Sequence, residues 1–305
     1  MIAVDDHWTL VFHSHTLRCT TPMAFVRQRY GKADVRVLRV QRDGDRHQAR
    51  ESRVNVILDG EFSRAYTDAD NASVVATDTM KNLVNMLALQ HLDAANESFA
   101  LAIGQCFLDR YRQVSEACVR VEETVWGRMR IDGREHDHGF VRAEGGTPFA
   151  CATVTRSSRE VEAGFQDFAI MKTTGSGFVD FLQDEYTTLP PTTDRILATR
   201  MAAAWRFEGG TLRGRCDYGA VAGSIREALL RVFATTYSPS VQDSLYRMGT
   251  AALAAASDIR EITLRMPNVH YLPIDLSPFG HDARGTVFLP TDEPSGQIEV
   301  TLERA

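Results

Sequence analysis

The chain has 305 residues, roughly twice the ~150-residue prior for one domain, enough for two ordinary cores. Hydrophobic residues make up 44% and charged residues 24%, which excludes disorder, collagen-like repeats and coiled coil as whole-chain readings. A formal charge of −6 and an isoelectric point near 5.9 leave no basic excess for a phosphate backbone, so nucleic acid is not an expected partner.

The five cysteines (Cys19, Cys106, Cys118, Cys151, Cys216) are odd in number, lie far apart and form no CxxC pair. They predict reduced thiols and a cytoplasmic setting rather than a disulfide framework or zinc knuckle. The apolar run 251–256 is far short of the roughly 20 residues of a spanning helix, so no membrane is expected. Residues 1–25 carry Asp5, Asp6, His7, His13 and His15 and do not read as a signal peptide. The final Glu303-Arg304-Ala305 is not a peroxisomal tripeptide.

In chain order, residues 1–29 show no clear element and read as a leader. Val35, Val37 and Val40 begin a strand. Asp43-Gly44-Asp45 turns the chain into a second strand over 48–58, and Asp59-Gly60 is expected to turn it again into an extended 61–66. Met80, Leu83, Val84 and Leu87 fall on one face of a helix, as do Phe99, Ile103, Cys106 and Phe107. Strand-like runs follow at 115–126 and at 128–142, the latter broken by Asp132-Gly133.

The second half repeats the order. Runs 150–156 and 160–172 are strand-like, and an irregular insert leads to a long strand near 194–207. Val221, Ile225, Leu229, Val232 and Phe233 line one helix. Val241, Leu245, Met248 and Ala252 line another, with Ser240 and Asp243 forming a capping-box-like start. Ile262, Leu264 and Met266 alternate in a strand, and 297–302 closes the chain. The fold class is therefore α+β, a tandem of two ββααββ units in domains 30–145 and 146–305, with the boundary near 143–147. Long sheet edges must be paired or covered, which predicts assembly into a multimeric barrel.

Several polar segments sit where a plain core has no need of them. Tyr30-Gly31-Lys32 precedes the first strand, and alone it reads as a solvated lysine after a flexible glycine. The segment from Val74 to Thr79 enters the first helix. It reads as an ordinary N-cap or as N–H donors presented to an anion. Ser240-Val241-Gln242 poses the same choice, with Gln242 adding a carboxamide donor and acceptor. In Pro267-Asn268-Val269-His270, Asn268 and His270 share a face if the segment is extended. Arg195 suits a planar anionic edge, and Phe178, beside Gly177, suits stacking on a flat ring. His136 and His138 form an HxH pair that resembles half a metal site, but no third and fourth ligand stand at matching spacing. His13 and His15 are weaker still.

Taken together, these segments resemble the urate oxidase (uricase) family. The matching residues are Tyr30-Gly31-Lys32 with Val35-Arg36-Val37, and Asp70-Asn71 through Val75-Ala76-Thr77-Asp78 to Lys81-Asn82. They continue with Asp184-Glu185-Tyr186-Thr187-Thr188-Leu189, Asp194-Arg195-Ile196-Leu197-Ala198-Thr199, Val241-Gln242, Pro267-Asn268-Val269-His270, Asp275-Leu276 and Gly296-Gln297-Ile298. The set runs in family order from about Tyr30 to Arg304. The departures are the leader, unlike the family up to about Thr21, and the missing peroxisomal signal of eukaryotic members. Met23 gives a start nearer the usual family length.

The resemblance implies a tandem T-fold, four subunits stacking two barrels around a tunnel, active sites at subunit interfaces and no cofactor. It implies oxidation of urate by O₂ and water to 5-hydroxyisourate and hydrogen peroxide. By similarity Lys32 and Thr77 form the general base, His270 extends the proton relay and Asn268 holds O₂ or the attacking water. Arg195 and Gln242 clamp urate and Phe178 stacks on it. Val241, Ile298 and Leu189 complete the pocket, and Thr77 and Asp78 meet the opposite edge from a neighbouring subunit. The His-x-His stretch also occurs in the family, where it holds no cofactor. Two other readings follow from the residues: a zinc-dependent pterin or purine enzyme using His136 and His138, and a non-catalytic purine-binding barrel.

Overall fold

Two alternating runs open the fold. In the computed structural model, which describes residues 24–209, 216–282 and 285–304, β1 (Arg29–Asp43) and β2 (Arg46–Gly60) form an antiparallel hairpin. Gly44 turns it at φ +61, a conformation that carries no Cβ penalty in glycine. Val54, Val56 and Leu58 are fully buried at alternate positions of β2, as a half-buried strand requires. The expectations on Met1, His13, His15, Cys19 and Met23 lie outside the described residues.

Two expectations change here. Tyr30-Gly31-Lys32 lies within β1, not ahead of it, and the register shifts between Lys32 and Val35. Residues 61–66 do not return as a strand. Both edges of β2 are already taken by β1 and by β3 (Val114–Thr124). The chain instead turns off with the Glu61 N–H on the Gln113 carbonyl, into the short helix α1 (Ser63–Thr67).

The helices α2 (Thr77–His91) and α3 (Asn96–Arg110) bury the expected stripes, Met80 and Val84 in one, Phe99, Ile103 and Phe107 in the other. The run 128–142 pairs with itself about Asp132-Gly133. With Trp126 it forms the hairpin β4 (Trp126–Ile131) and β5 (Arg134–Arg142), a separate two-stranded sheet. The partner of β3 is instead β6 (Thr147–Thr155), followed by β7 (Arg159–Lys172) and β8 (Leu197–Phe207).

Then come α4 (Tyr218–Thr235), α5 (Val241–Ala255), β9 (Ile259–Arg265), the hairpin β10 (Asn268–Pro273) and β11 (Phe288–Gly296), and β12 (Glu299–Glu303). The sheet runs β1-β2-β3-β6-β7-β8-β9-β12, antiparallel throughout, with β10 and β11 branching from β8.

The order β1β2α2α3β3β6 therefore recurs as β7β8α4α5β9β12, and each copy carries a hairpin between its last two strands. On this register the β6–β7 turn at residues 156–158 separates the two repeats, and the excursion hairpin occupies the stretch that reads as a fourth strand.

One arginine closes each copy in the same way. Arg156, just past β6, donates to the carbonyls of Tyr111, Arg112 and Val114 at 3.2–3.4 Å. Arg304, just past β12, donates to those of Leu253, Ala256 and Ile259 at 2.6, 3.0 and 3.4 Å. Each guanidinium bridges carbonyls from the end of the second helix of its copy to the start of the strand that follows.

The helices cover one face of the sheet, over a core that runs through Val119, Val154, Ala203, Ile225, Leu245 and Leu264. The other face is polar and laced with pairs such as Arg120–Glu122 and Arg206–Glu162, as expected of an antiparallel sheet with one wet side. Among the described residues no helix is long and apolar enough to cross a membrane.

Arg304→Ala strands carbonyls at the end of α5, at a cost of about 2 kcal/mol for charge-assisted bonds. Arg156→Ala is expected to cost a similar amount. Urea midpoints measure both, and a loss confined to one of the two would break their equivalence.

Candidate active site

The residues singled out by the sequence gather into two groups. The first forms where β1 meets the start of α2. Tyr30 and Lys32 are two residues apart in β1 and so face the same way. The Tyr30 hydroxyl accepts the Val75 N–H at 2.7 Å and donates to the Val75 carbonyl at 3.2 Å. Burial pushes the Tyr30 phenol above its ordinary pKa, so it stays neutral and able to do both. This clasp fixes the entry to α2 beside Lys32.

The expected cap is not made by Thr77 or Asp78. Ala76 occupies the N-cap, without a side-chain hydrogen bond, and both Thr77 and Asp78 are exposed. The Asp78 carboxyl lies below its ordinary range, chiefly through the 2.5 Å hydrogen bond from Lys81, with smaller help from Asn82 and the charge of Lys32. Lys32, Thr77 and Asp78 are thus neighbours, at a helix N-terminus whose first N–H groups no side chain caps.

The second group forms around the loop after β7. Gly175, Ser176 and Gly177 are zipped to Ser238 by the Gly177 N–H on the Ser238 carbonyl (2.8 Å) and the Ser238 N–H on the Gly175 carbonyl (2.9 Å). Ser238 lies just before α5, where the Ser240 hydroxyl caps the Asp243 N–H as expected. This zipper brings Phe178 towards Val241 and Gln242, the first two residues of α5; Val241 is buried and Gln242 exposed.

Arg195 lies just ahead of β8, with its N–H on the Ser176 carbonyl and its guanidinium 5.4 Å from the centre of the Phe178 ring. Burial pushes Arg195 below its ordinary pKa. Its Nε is buried without a partner, as are Ser176 Oγ and Thr199 Oγ1, and among the described residues no carboxylate pairs with it. Buried polar groups are rarely left unpaired, and three of these unpaired atoms lie in or beside this one loop.

Asn268 pairs with Thr199 on β8 and with Gly296 on β11. Its amide stands 3.5 Å from His270 Nδ1, so the two do share a face. Ile298 lies beside them across Gly296. Leu189 sits in the loop that the Phe178–Thr192 bridge closes and is 53% exposed.

The two groups do not meet within one chain. Between β1 and β8 lie five strand steps, about 24 Å at the usual spacing. The expected relay from Lys32 and Thr77 to His270 is therefore not formed inside a single chain.

His136 and His138 are placed edge to face, 4.6 Å apart. His136 Nδ1 already accepts the Gly139 N–H at 2.9 Å. The neighbouring acids are spent on arginine, Glu135 and Asp137 both on Arg46. Among the described residues no group of three or more His, Cys, Asp or Glu is arranged to hold a metal ion.

Two contributors escape sequence reasoning. Phe181 stacks on Phe178, 4.7 Å between centres and 6° from parallel. The Ser238–Ser244 hydroxyl pair, 2.6 Å apart, locks the zipper to α5. Neither has a spacing signal, because both depend on loop closure.

A sequence model of the uricase family matches residues 28–153 and 161–299, two stretches that part at the β6–β7 turn. The uricase of Arthrobacter globiformis is 38% identical over 284 residues, 93% of this chain and 91% of its own. That of Oryctolagus cuniculus is 36% identical over 95% and 97% of the two chains. The crystal structure of the Arthrobacter globiformis uricase superposes with a TM-score of 0.86, covering 93% of this chain and 96% of that one. The chain belongs to the uricase family. Its fold is the uricase T-fold, duplicated within one chain.

Within this uricase fold an unpaired, half-buried guanidinium destabilises the empty protein. Arg195→Met, which keeps the stem and removes the charge, is expected to raise the unfolding free energy by about 0.5–2 kcal/mol, and with it the midpoint, when no ligand is present. Equilibrium urea unfolding checks this; a lower midpoint would mean that Arg195 is satisfied.

Proposed function

We propose that this chain oxidises urate with O₂ and water to 5-hydroxyisourate and hydrogen peroxide, with no cofactor. Family membership supports urate oxidation. The observation that carries the chemistry is Arg195, a half-buried cation with no carboxylate partner, poised over an aromatic ring.

Urate is a planar anion with hydrogen-bonding edges. Arg195 and Gln242 clamp one edge, and the Val241 N–H at the start of α5 takes another acceptor. Phe181 stacks on one face of Phe178, and the substrate stacks on the ring face that Phe181 leaves open. Ile298 and Leu189 close the pocket. A site that hydrogen-bonds each edge rejects a purine that leaves these groups unpaired.

Ground-state O₂ is a triplet, which is why most oxidases pass electrons singly through a flavin or metal. A doubly deprotonated urate is reducing enough to do this itself, so the protein need only remove protons and hold O₂. Lys32 with Thr77 takes the proton, His270 relays it and Asn268 holds O₂ or the attacking water above the ring.

Because the two groups lie on strands five steps apart, the complete site takes Lys32, Thr77 and Asp78 from one subunit and the Arg195 group from another. A homotetramer that closes the open edges of the sheets satisfies this and turns the polar faces onto a central tunnel. The free thiols Cys106, Cys118, Cys151 and Cys216 fit a cytoplasmic setting.

Aerobic incubation with urate tests the reading. Ultraviolet absorbance of urate should fall as peroxide appears, and binding without oxygen uptake would leave only a purine-binding barrel. Lys32→Ala or Thr77→Ala should lower kcat by ~10²–10⁴-fold with little change in urate affinity, whereas Arg195→Ala should weaken binding ~10–100-fold. Mixing Lys32→Ala and Arg195→Ala subunits, then letting them reassemble, should restore part of the lost turnover. No recovery in exchanged tetramers would place the site within one subunit.

A further inference from the structure

Cys118 and Cys151 stand 33 residues apart in sequence, yet their Sγ atoms are 3.7 Å apart on the polar face of the sheet. Cys118 on β3 pairs with Thr153 on β6, and Arg120 pairs with Cys151, so the two thiols form a cross-strand diagonal. Both are partly exposed. Cys151 and Thr153 line a groove of about 980 Å³ that reaches this face.

The geometry points to a peroxide-reactive dithiol, in which Cys118 is the oxidised thiol and Cys151 resolves it. Only the source of peroxide rests on the proposed urate chemistry. The Cys118 thiolate attacks one oxygen of hydrogen peroxide and becomes a sulfenic acid as hydroxide leaves. The Cys151 sulfur then attacks the sulfenic sulfur, its proton joins the departing hydroxyl, and a disulfide and water form. In sum two thiols and one peroxide give one disulfide and two waters. The sulfurs need to close by about 1.7 Å to reach bonding distance.

Position assigns the roles: Cys151 stands directly across from the Glu162 carboxylate on β7, whereas Cys118 faces the Thr153 hydroxyl and lies near Arg29. The Cys118 thiol lies below its ordinary pKa because Cys151 donates a hydrogen bond to its anion, with Thr153 and the charge of Arg29 adding to this against burial and Glu116. Cys151 is pushed above its ordinary value by the same bond to Cys118, by burial and by Glu162, against Arg120. A thiolate beside a protonated thiol is the pairing such exchange needs. Burial pushes the thiols of Cys106 and Cys216 up, which makes them internal controls.

The test treats reduced full-length protein, without urate, with a few equivalents of hydrogen peroxide. It then alkylates under denaturing conditions and maps peptides by mass. The expected result is joint loss of Cys118 and Cys151 from the alkylated pool and one cross-linked peptide pair lighter by two hydrogens. Dithiothreitol should reverse it, and Cys106 and Cys216 should alkylate in full. With Cys151→Ser, dimedone should label Cys118; with Cys118→Ser, neither label nor cross-link should form at Cys151. Full alkylation of Cys118 and Cys151 under excess peroxide, or dimedone on Cys106 or Cys216 instead, would overturn the proposal; the wild-type arm does not depend on either variant folding. A second arm replaces peroxide with urate and air, with oxygen uptake followed in parallel. Cross-linking abolished by catalase supports the peroxide source, whereas failure of this arm alone counts against the urate reading and not against the dithiol.

Discussion

A continuous antiparallel sheet fixes how far apart its strands stand, and here that spacing governs the rest. Lys32 is tied to β1 and Arg195 to the start of β8, with four strands between them. Neither can be moved towards the other without breaking backbone ladders that bury Val54, Val119, Val154 and Val161. The site proposed above, which joins Lys32 to Arg195, therefore draws them from two copies. The same sheet ends in open edges at β1 and β12, and open edges favour pairing. The Lys32 group stands on the edge strand β1, whereas the Arg195 group stands at the start of β8, two strands in from the edge at β12.

The charge distribution follows the same division. The chain is acidic overall, yet the second group centres on a guanidinium that no carboxylate neutralises among the described residues. Elsewhere arginine is spent on structure, as in Arg120–Glu122, Arg206–Glu162 and Arg247–Asp243. Exposed pairs of that kind contribute little to stability, but they consume charge. The unpaired Arg195 sits in a loop zipped by backbone bonds, where a rigid scaffold tolerates it. A partly buried cation without a counter-ion costs stability, and here the backbone bonds of its loop sustain it.

Much of this was legible in the sequence because it follows from periodicity. The stripes of α2, α3, α4 and α5, the turn at Gly44 and the cap at Ser240 all depend on near neighbours. Asn268 and His270 share a face because an extended chain alternates. The misreadings share one cause, which is that strand pairing is decided by distant partners. The run 128–142 has the alternation of a fourth strand, but Asp132-Gly133 folds it on itself, and β6 takes the place beside β3. Residues 61–66 follow a good turn signal, but β2 has no free edge. Cys118 and Cys151 look scattered because adjacency across β3 and β6 is invisible along the chain. Phe181 and the Ser238–Ser244 pair carry no spacing signal at all, since a loop closure alone places them.

The Tyr30-Gly31-Lys32 triplet shows how a short motif acts as one device. A Cβ on Gly31 would stand 1.9 Å from the Val56 carbonyl oxygen, a contact that backbone atoms cannot relieve, so only glycine lets β1 approach β2 this closely. That approach sets Tyr30 and Lys32 on one side of the strand, and the register shift that follows Lys32 releases the strand just past it. Tyr30 then grips Val75 by both its N–H and its carbonyl, which positions the uncapped start of α2 and with it Thr77. The residue with no side chain and the residue with a neutral phenol do no chemistry. They determine where an ammonium and a hydroxyl stand relative to each other, and a lysine without them would be one more solvated surface charge.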